Sequence, residues 1–340
     1  MLEIEFHDRE KEIREIMRIL NSRPDLITFV YGPINSGKTE LFQHLIKMLP
    51  KDFVVFYINL RERMIKDFND FIEALFEIES SKKKVVIKEI ITEITEFTGI
   101  PISKSLLNEF FKEDRPKNAF RYVVKVVKEI KAKGKTPVLI LDELQKIGDV
   151  KIDGYLIYEL FNLFIRLTKE LHSCHVFAIT SDSLFIEKVY SEAMLHGRCR
   201  YLLIDDFNYN TTKEFLEKHG FSQEEIDLTW NYFGGKPVYL VEAIKNKDRL
   251  KDFCEEQLRL RKRQIKDSLY SLNVDFRKSV LKLLSNFKDR DFLAYDYLTE
   301  ELRWCIKNNI LFLDPLNDIV KPQSQLDLLA IRKILKEITS

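Results

Sequence analysis

The sequence lacks the features that mark zinc-binding, membrane-spanning and exported proteins. Its 340 residues include only four cysteines, at positions 174, 199, 254 and 305. They lie too far apart for the spacing of zinc ligands and are typical of reduced thiols. No run of roughly eighteen apolar residues, the minimum for a transmembrane helix, is found. The first residues lack the basic region and apolar stretch of a signal peptide. We therefore expect a cytoplasmic protein with no membrane partner.

A strong net charge is also missing. The chain carries 55 Lys and Arg against 54 Asp and Glu, a formal net charge of +1. Such a balance gives no overall attraction to nucleic acid or to anionic membranes. No internal repeat or low-complexity tract is present. The hydrophobic content of 45% is that of a soluble globular protein. Because the chain is longer than the chains that usually fold around a single hydrophobic core, we expect two or three domains.

The strongest pattern lies near the amino terminus. Residues 26–31, rich in β-branched and aromatic side chains, predict a buried strand, and residues 40–49 have apolar positions at helical spacing. The eight residues between them fit the phosphate-binding (Walker A) pattern G-x-x-x-x-G-K-[ST] without a mismatch: Gly32, Pro33, Ile34, Asn35, Ser36, Gly37, Lys38 and Thr39. This position between a strand and a helix favours a P-loop over a glycine turn that matches by chance.

The residue types in this loop match the chemistry of a triphosphate. Gly32 and Gly37 let the backbone bend so that its N–H groups form an anion nest, and the helix dipole adds to it. Lys38 brings a positive charge to the β- and γ-phosphates, and the Thr39 hydroxyl can ligate Mg²⁺. We expect the segment from Gly32 to Glu40 to bind the nucleotide.

Further predicted strands alternate with helices, which favours a parallel sheet with its ligands at the carboxyl ends of the strands. These strands cover residues 53–58, 138–141, 175–180 and 200–204. Asp142 and Glu143 follow the predicted strand at residues 138–141, as in a Walker B motif. Asp142 is expected to position Mg²⁺, and Glu143 to orient or deprotonate the attacking water. An ordinary loop start is the alternative for this pair.

Two other positions are weaker candidates. A hydroxyl at Thr180 or Ser181, after the fourth strand, could sense the γ-phosphate, whereas a helix N-cap is the competing explanation for Ser181 or Asp182. Arg198, just before the last strand, could act as an arginine finger on the nucleotide of a neighbouring subunit, or be a surface arginine in a solvated turn. The finger would require the protein to assemble, and oligomerisation stays open.

The remaining segments suggest accessory domains. Residues 66–132 predict a mostly helical insertion, with a solvated linker at residues 80–84. Helices dominate from residue 211 to about residue 272, and from residue 274 helices precede a short strand and its hairpin partner. The predicted domains are a P-loop domain at 1–207, a helical lid at 208–272 and a winged-helix domain at 273–340.

Taken together, these motifs resemble the archaeal ATPase family in the STAND and AAA-like branch of the P-loop NTPases. The resemblance covers nearly the whole chain in the right order and is carried by residues 6–12, 32–39, 141–145, 196–198 and 234–237. It implies an α/β fold with sheet order 5-1-4-3-2, with ATP and Mg²⁺ as ligands. It also implies that His7 and Arg9 lie over the adenine and that Pro237 closes the pocket. The family has glycine where this chain has Asp8.

Two functional classes remain. In the first, the protein is an ATP-hydrolysing switch in which ATP·Mg²⁺ holds the lid and winged helix in one arrangement. In the second, it is a nucleotide-dependent DNA-binding protein, resembling origin-recognition-type ATPases, with slow hydrolysis. Residues 274–340 carry 11 basic against 10 acidic residues, whereas a DNA reader usually has a basic face. The densest basic run lies at residues 259–266. A solvated helix face is the alternative to DNA contact as an explanation for this run. DNA and a protein client both stay open as partners. A third possibility is that the nucleotide is bound permanently as a structural element.

Overall fold

The computed structural model describes residues 4–62, 64–78, 96–113, 116–148 and 156–339. Up to residue 204 its strands are β1 (Ile27–Tyr31), β2 (Phe53–Asn59), β3 (Phe76–Ile78), β4 (Glu96–Phe97), β5 (Ile100–Ile102), β6 (Thr136–Asp142), β7 (His175–Ile179) and β8 (Cys199–Leu203). The helices of this part are α1 (Glu10–Leu20), α2 (Lys38–Met48), α3 (Phe68–Leu75), α4 (Lys104–Glu113), α5 (Pro116–Ala132), α6 (Leu156–Ile165) and α7 (Ser183–Tyr190). The linker predicted at residues 80–84 lies outside the described residues.

A parallel sheet forms the centre of this part, with the strand order β4-β2-β6-β7-β1-β8. The strands expected from the sequence lie side by side as β2-β6-β7-β1-β8, and β4 is added next to β2. Every residue of β1 and β7 is buried, because helices cover both faces of the sheet. The parallel direction brings the ends of β1, β6 and β7, and the residues that follow them, to one edge.

The described residues of the insertion are mostly helical, as predicted, but three short strands accompany the helices α3, α4 and α5. Within its described residues, β3 and β5 pair in a small parallel sheet of their own, and β4 joins the central sheet. Strands of two or three residues are too short to show an alternating pattern, which is why the sequence does not predict them.

Helices and one antiparallel sheet make up the rest of the chain. The helices are α8 (Tyr209–Lys218), α9 (Gln223–Phe233), α10 (Pro237–Lys245), α11 (Leu250–Tyr270), α12 (Val274–Ser285), α13 (Glu300–Lys307) and α14 (Gln325–Thr339). The strands β9 (Leu293–Ala294), β10 (Leu311–Asp314) and β11 (Ile319–Pro322) form a sheet in the order β10-β11-β9. The predicted hairpin of β10 and β11 is present. The two-residue strand β9 was not expected.

The carboxyl-terminal part packs against the P-loop part. Most of its buried side chains, from Phe215 to Ile334, form one cluster that joins the helices of residues 208–272 to the antiparallel sheet. Phe312 of β10 belongs instead to the core of the central sheet, where its ring stacks on Tyr31 with 6.4 Å between centroids. The last residue of the P-loop strand is therefore covered by the antiparallel sheet. In the described part of the chain, no helix is both long enough and apolar enough to cross a membrane.

Candidate nucleotide-binding site

The P-loop runs from the end of β1 to the start of α2. At Gly32 any side chain would collide with the backbone, because a Cβ would lie 2.0 Å from the carbonyl oxygen of Ile204. Gly37 has φ 89°, a left-handed conformation that glycine adopts without strain. Asn35 is also left-handed, with φ 59°. These conformations turn the loop back on itself ahead of the amino terminus of α2, which is the geometry of an anion-binding nest.

Lys38 lies inside this loop and is only 7% exposed. Its Nζ donates hydrogen bonds to the carbonyl oxygens of Gly32 (3.0 Å) and Pro33 (2.9 Å). Burial, with a smaller contribution from nearby Lys236, lowers the pKa of Lys38 to about 8, although the carboxylates of Glu143 and Asp142 oppose the change. A buried ammonium group with only neutral acceptors gains stability when an anion binds beside it.

Thr39 and Asp142 meet at the entrance to α2. Asp142 is 2% exposed, and its Oδ2 accepts hydrogen bonds from the Thr39 hydroxyl (2.7 Å) and the Tyr57 hydroxyl (2.7 Å). Hydroxyl and carboxylate oxygens are the hard donors that Mg²⁺ prefers, so Thr39 and Asp142 fit this ion and would hold it. When bound, Mg²⁺ would neutralise charge on the β- and γ-phosphate oxygens.

Glu143 is held in an uncommon backbone conformation, with φ 62°. Its Oε1 pairs with Nη2 of Arg61 at 2.5 Å, and its Oε2 accepts a hydrogen bond from Nε2 of Gln145 at 2.6 Å. Oε1 of Gln145 in turn accepts a bond from the Thr180 hydroxyl at 2.7 Å. One hydrogen-bonded chain thus runs from Arg61 through Glu143 and Gln145 to Thr180.

A cavity of about 390 Å³ lies over the P-loop. It is lined by Lys38, Thr39, Arg61, Glu143, Ser181 and Pro237, among others. Thr180 does not line it, is 1% exposed and is connected to it by hydrogen bonds through Gln145 and Glu143. Asp182 is the N-cap of α7, with Oδ1 accepting from the N–H groups of Leu184 and Phe185. Of the hydroxyls after β7, it is therefore Ser181 that faces the cavity.

A second cavity, of about 320 Å³, opens beside Gly37 and has a largely apolar and aromatic lining, which suits a planar base. It brings together His7 and Arg9, which the resemblance implies over the adenine, and Pro237, which the resemblance implies closes the pocket. Phe207 and Phe215 also line it and were missed, because isolated aromatic residues cannot be told from core residues in a sequence. Burial lowers the pKa of His7, whose ring centroid lies 5.1 Å from that of Phe215.

Arg9 and Asp8 explain how the amino-terminal segment reaches this cavity. Nη2 of Arg9 donates to the carbonyl oxygen of Ser36 at 2.6 Å, and its guanidinium lies 4.5 Å from the Phe207 ring centroid. Asp8 adopts φ 59°, a left-handed conformation that glycine adopts without strain and that Asp tolerates better than most residues. Its Oδ2 accepts a hydrogen bond from the Thr211 hydroxyl at 2.8 Å.

The carboxyl-terminal part supplies the far wall of the site. A cavity of about 350 Å³ adjoins Glu143 and Ser181 and is closed by Ile306, Lys307, Asn309 and Gln323. These four residues, together with Arg61 and Lys236, were not predicted. Only Lys236 had a signal in the sequence, because it lies inside the segment of residues 234–237. Gly235 in that segment lets the backbone lie close to that of Phe207, because a Cβ on residue 235 would be 1.8 Å from the Phe207 carbonyl oxygen.

Comparison with known proteins agrees with this geometry. Residues 6–243 match a family described as "ATPase domain predominantly from Archaea". The chain belongs to this archaeal ATPase family. Residues 251–335 match a second family, "Uncharacterized ATP-binding protein MJ1010-like, C-terminal domain".

Relatives in this family are similar over their whole length. The chain is 54% identical to the uncharacterized ATP-binding protein MJ1659 of Methanocaldococcus jannaschii, with 98% of each chain covered. It is 51% identical to the uncharacterized ATP-binding protein PYRAB09480 of Pyrococcus abyssi, with 97% of this chain and 98% of the relative covered.

Solved structures share the fold at lower identity. The Walker-type ATPase paby2304 of Pyrococcus abyssi has a TM-score of 0.66 at 18% identity, with 96% of each chain covered. The ORC2 protein of Aeropyrum pernix, solved as ADPNP and ADP complexes, has a TM-score of 0.54 at 12% identity, with 100% of this chain and 97% of that chain covered. Both similarities extend through the P-loop part and the carboxyl-terminal part.

Arg198 lies away from the candidate site. It is exposed and directly precedes β8, at the amino-terminal edge of the sheet, whereas the P-loop lies at the carboxyl edge of the parallel neighbour β1. Its Nη1 donates to the carbonyl oxygen of Met194 at 3.0 Å. Arg198 therefore lies away from the candidate site of its own chain, and both a role on a neighbouring subunit and a surface arginine in a solvated turn stay open.

The basic run on α11 is largely paired with carboxylates. Arg261 pairs with the buried Asp327 at 2.6 Å, and both Lys262 and Lys266 pair with Glu337, at 2.5 and 2.6 Å. Arg263 lies 3.8 Å from Asp267 on the same helix. Arg261, Lys262 and Lys266 thus pair with carboxylates of α14, and Arg263 pairs within α11.

Proposed function

We propose that this protein binds and hydrolyses Mg-ATP as a molecular switch, coupling the cycle to movement of a helical lid (residues 208–272) and a winged-helix domain (residues 273–340). Three lines of support agree. The family is described as an ATPase domain, the relatives are named as ATP-binding proteins, and Lys38, Thr39 and Glu143 line one cavity.

The observation that carries the coupling is at Ile34, in the middle of the P-loop. Its N–H donates to Oε1 of Gln323 at 3.2 Å, and its carbonyl oxygen accepts from Nζ of Lys236 at 3.0 Å. Gln323 follows β11 of the winged-helix segment, and Lys236 directly precedes α10 of the lid segment. One residue of the loop that would cradle the phosphates is thus hydrogen-bonded to both the lid segment and the winged-helix segment, so a change in its conformation acts on both.

The hydrolysis step follows from the positions of the charged groups. The loop N–H groups and Lys38 bind the phosphate tail, and Glu143 accepts a proton from the water whose oxygen attacks the γ-phosphorus. The bond from that phosphorus to the bridging oxygen breaks, and its electron pair leaves with ADP. Asn309 and Gln323 close the cavity beside Glu143. Loss of the γ-phosphate therefore changes the contacts of these two carboxyl-terminal residues directly.

Distance measurements between spin labels test this switch. Met48 on α2 and Tyr297 before α13 are 57% and 73% exposed, and a cysteine at each, in a Cys199→Ser background, reports the separation of the two parts. We expect the distance distribution to differ between the ADP form and the ATP form of a Glu143→Gln variant. A matched pair at Met48 and Tyr190, both in the P-loop part, should not change. Identical distributions at saturating ADP and ATP would contradict the coupling.

DNA binding has weaker support. Ile306 and Lys307 of α13 line the cavity next to Glu143, so α13 faces the P-loop part in this arrangement, and the basic run on α11 is paired. We expect no shift of a labelled duplex in low-salt fluorescence anisotropy. A salt-dependent shift that weakens in an Arg261→Ala, Arg263→Ala variant would favour the DNA-binding alternative instead.

A further inference from the structure

Arg61 is placed over the candidate site by a short turn after β2. Leu60 anchors this turn with 0% exposure, and the Arg61 N–H donates to Oδ1 of Asn59 at 3.0 Å. The Arg61 side chain, in contrast, is 61% exposed, while its partner Glu143 is 9% exposed. The backbone is therefore held firmly while the guanidinium can change partner.

Arg61 borders the space that a γ-phosphate has to occupy. It lines both the cavity over the P-loop and the adjoining cavity beside Gln323. Among the described residues that line the P-loop cavity, two are cations, Lys38 and Arg61. Lys38 is buried against the loop, whereas the exposed Arg61 side chain can leave Glu143 and approach the outer oxygens of the triphosphate.

The present pairing of Arg61 also affects the water-activating carboxylate. Oε1 of Glu143 is occupied by Arg61 and Oε2 by Gln145. An attacking water must compete with the guanidinium for Oε1. Solvent around the exposed guanidinium weakens this ion pair, whereas an arginine that donates to phosphate oxygens forms strong, charge-assisted hydrogen bonds. A γ-phosphate is therefore the better partner for Arg61.

We propose that Arg61 exchanges partners when a triphosphate binds, leaving Glu143 for the γ-phosphate of the same chain. This inference rests on the proposed ATP hydrolysis and adds a catalytic residue to it. The exchange frees Oε1 of Glu143 to accept the proton of the attacking water. The guanidinium then neutralises charge on the phosphoryl oxygens while the water oxygen bonds to the γ-phosphorus and the bridging oxygen departs with ADP. ADP has no γ-phosphate and leaves the Arg61–Glu143 pair intact.

A double-mutant cycle on binding tests the exchange without needing turnover. The wild type, Arg61→Ala, Glu143→Gln and the double variant are titrated calorimetrically with AMP-PNP and with ADP in the presence of Mg²⁺. Arg61→Ala should lower the preference for AMP-PNP over ADP by about tenfold, because charge-assisted bonds to the γ-phosphate are lost. Glu143→Gln should raise that preference about threefold, since the competing ion pair is weakened. The double variant should behave like Arg61→Ala.

Turnover provides the second readout. Arg61→Ala should reduce kcat about 100-fold, the size expected for one preorganised donor to transition-state charge, and Arg61→Lys should restore part of it. Arg249→Ala removes a similarly exposed arginine that pairs with Glu256 on α11 and should change neither readout. Equal loss of AMP-PNP and ADP affinity in Arg61→Ala, or faster turnover, would overturn the proposal. A wild type that binds both nucleotides without turnover would contradict the proposed hydrolysis, while the affinity ratio would still decide the Arg61 contact.

Discussion

Tyr31 and Asp314 are joined by a buried hydrogen bond across 283 residues of sequence, in which the Tyr31 hydroxyl donates to Oδ1 of Asp314 at 2.8 Å. Tyr31 is the last residue of β1, directly before the P-loop, and Asp314 is the last residue of β10. Burial and the neighbouring carboxylate raise the pKa of Tyr31, so the hydroxyl stays a donor across the physiological range. The P-loop strand and the antiparallel sheet are thus in polar as well as apolar contact.

Replacing Tyr31 by Phe removes this donor and keeps the ring that stacks on Phe312. Asp314 retains the N–H of Leu316 and the side chain of Asn317 as partners, so we expect the free energy of unfolding to fall by only about 1–2 kcal/mol. Thermal unfolding followed by calorimetry measures this loss. Tyr297→Phe, at a 73% exposed position, is the matched control. Equal stability of both variants and the wild type would show that the bond contributes nothing.

Lys38→Ala should weaken ATP binding at least about 100-fold, because a buried charge opposite the phosphates is lost. Isothermal titration with ATP and with ADP measures the change. Lys47→Ala, an exposed position on the same helix, should bind as tightly as the wild type. Micromolar affinity retained by Lys38→Ala would show that the phosphates bind elsewhere.

Nucleotide affinity should fall as the pH rises above about 8. In the free protein, burial lowers the pKa of Lys38 from 10.5 to about 8, whereas a bound phosphate favours the charged form, so binding above this pH must take up a proton. Titrations in two buffers of different ionisation enthalpy should show proton uptake near zero at about pH 7 and approaching one at about pH 9.5.

The same pKa has the opposite effect on the stability of the nucleotide-free protein. Between the folded pKa of about 8 and the unfolded value of 10.5, the unfolded state holds the extra proton, so this group makes the free energy of unfolding rise with pH. Lys38→Met should remove this contribution to the pH dependence of the free energy of unfolding.

The proton-uptake measurement also has a contrary outcome. Absence of proton uptake when the nucleotide binds at alkaline pH would contradict a buried Lys38 that titrates near the pH given above.

Glu143→Gln should spare ATP binding and slow phosphate release by about 100-fold or more, because the amide cannot accept the proton of the attacking water. A coupled phosphate-release assay at saturating ATP measures the rate. Glu170→Gln alters an exposed glutamate and should leave the rate unchanged. If Glu143→Gln hydrolyses ATP at the wild-type rate, Glu143 is not the base.

Arg198→Ala should lower activity only where the protein assembles, because this side chain lies at the sheet edge opposite the P-loop. Specific activity measured across a range of protein concentrations, alongside analytical ultracentrifugation, separates the two cases. Arg249→Ala serves as the control. An equal loss of activity in a strict monomer would rule out the trans role.

Much of the candidate nucleotide site could be predicted because its residues are contiguous in sequence or follow strand ends. The phosphate loop needs Gly32, Gly37 and Lys38 at set distances along the chain, so local spacing alone points to a bound anion. Asp142 and Glu143 were identified for a related reason: the carboxyl ends of parallel strands share one edge of the sheet. These features depend on chain geometry and would arise in any packing of the remaining parts.

The partners of these residues were decided only by the tertiary structure. Arg61 reaches Glu143 across 82 residues of sequence, and Gln323 reaches Ile34 across 289. A single arginine after a strand or a glutamine after a hairpin carries no periodic or spacing signal, because such a contact depends on how distant elements pack. The sequence by itself therefore determined that a phosphate loop and an acidic pair are present, and the packing of the carboxyl-terminal part determined what surrounds them.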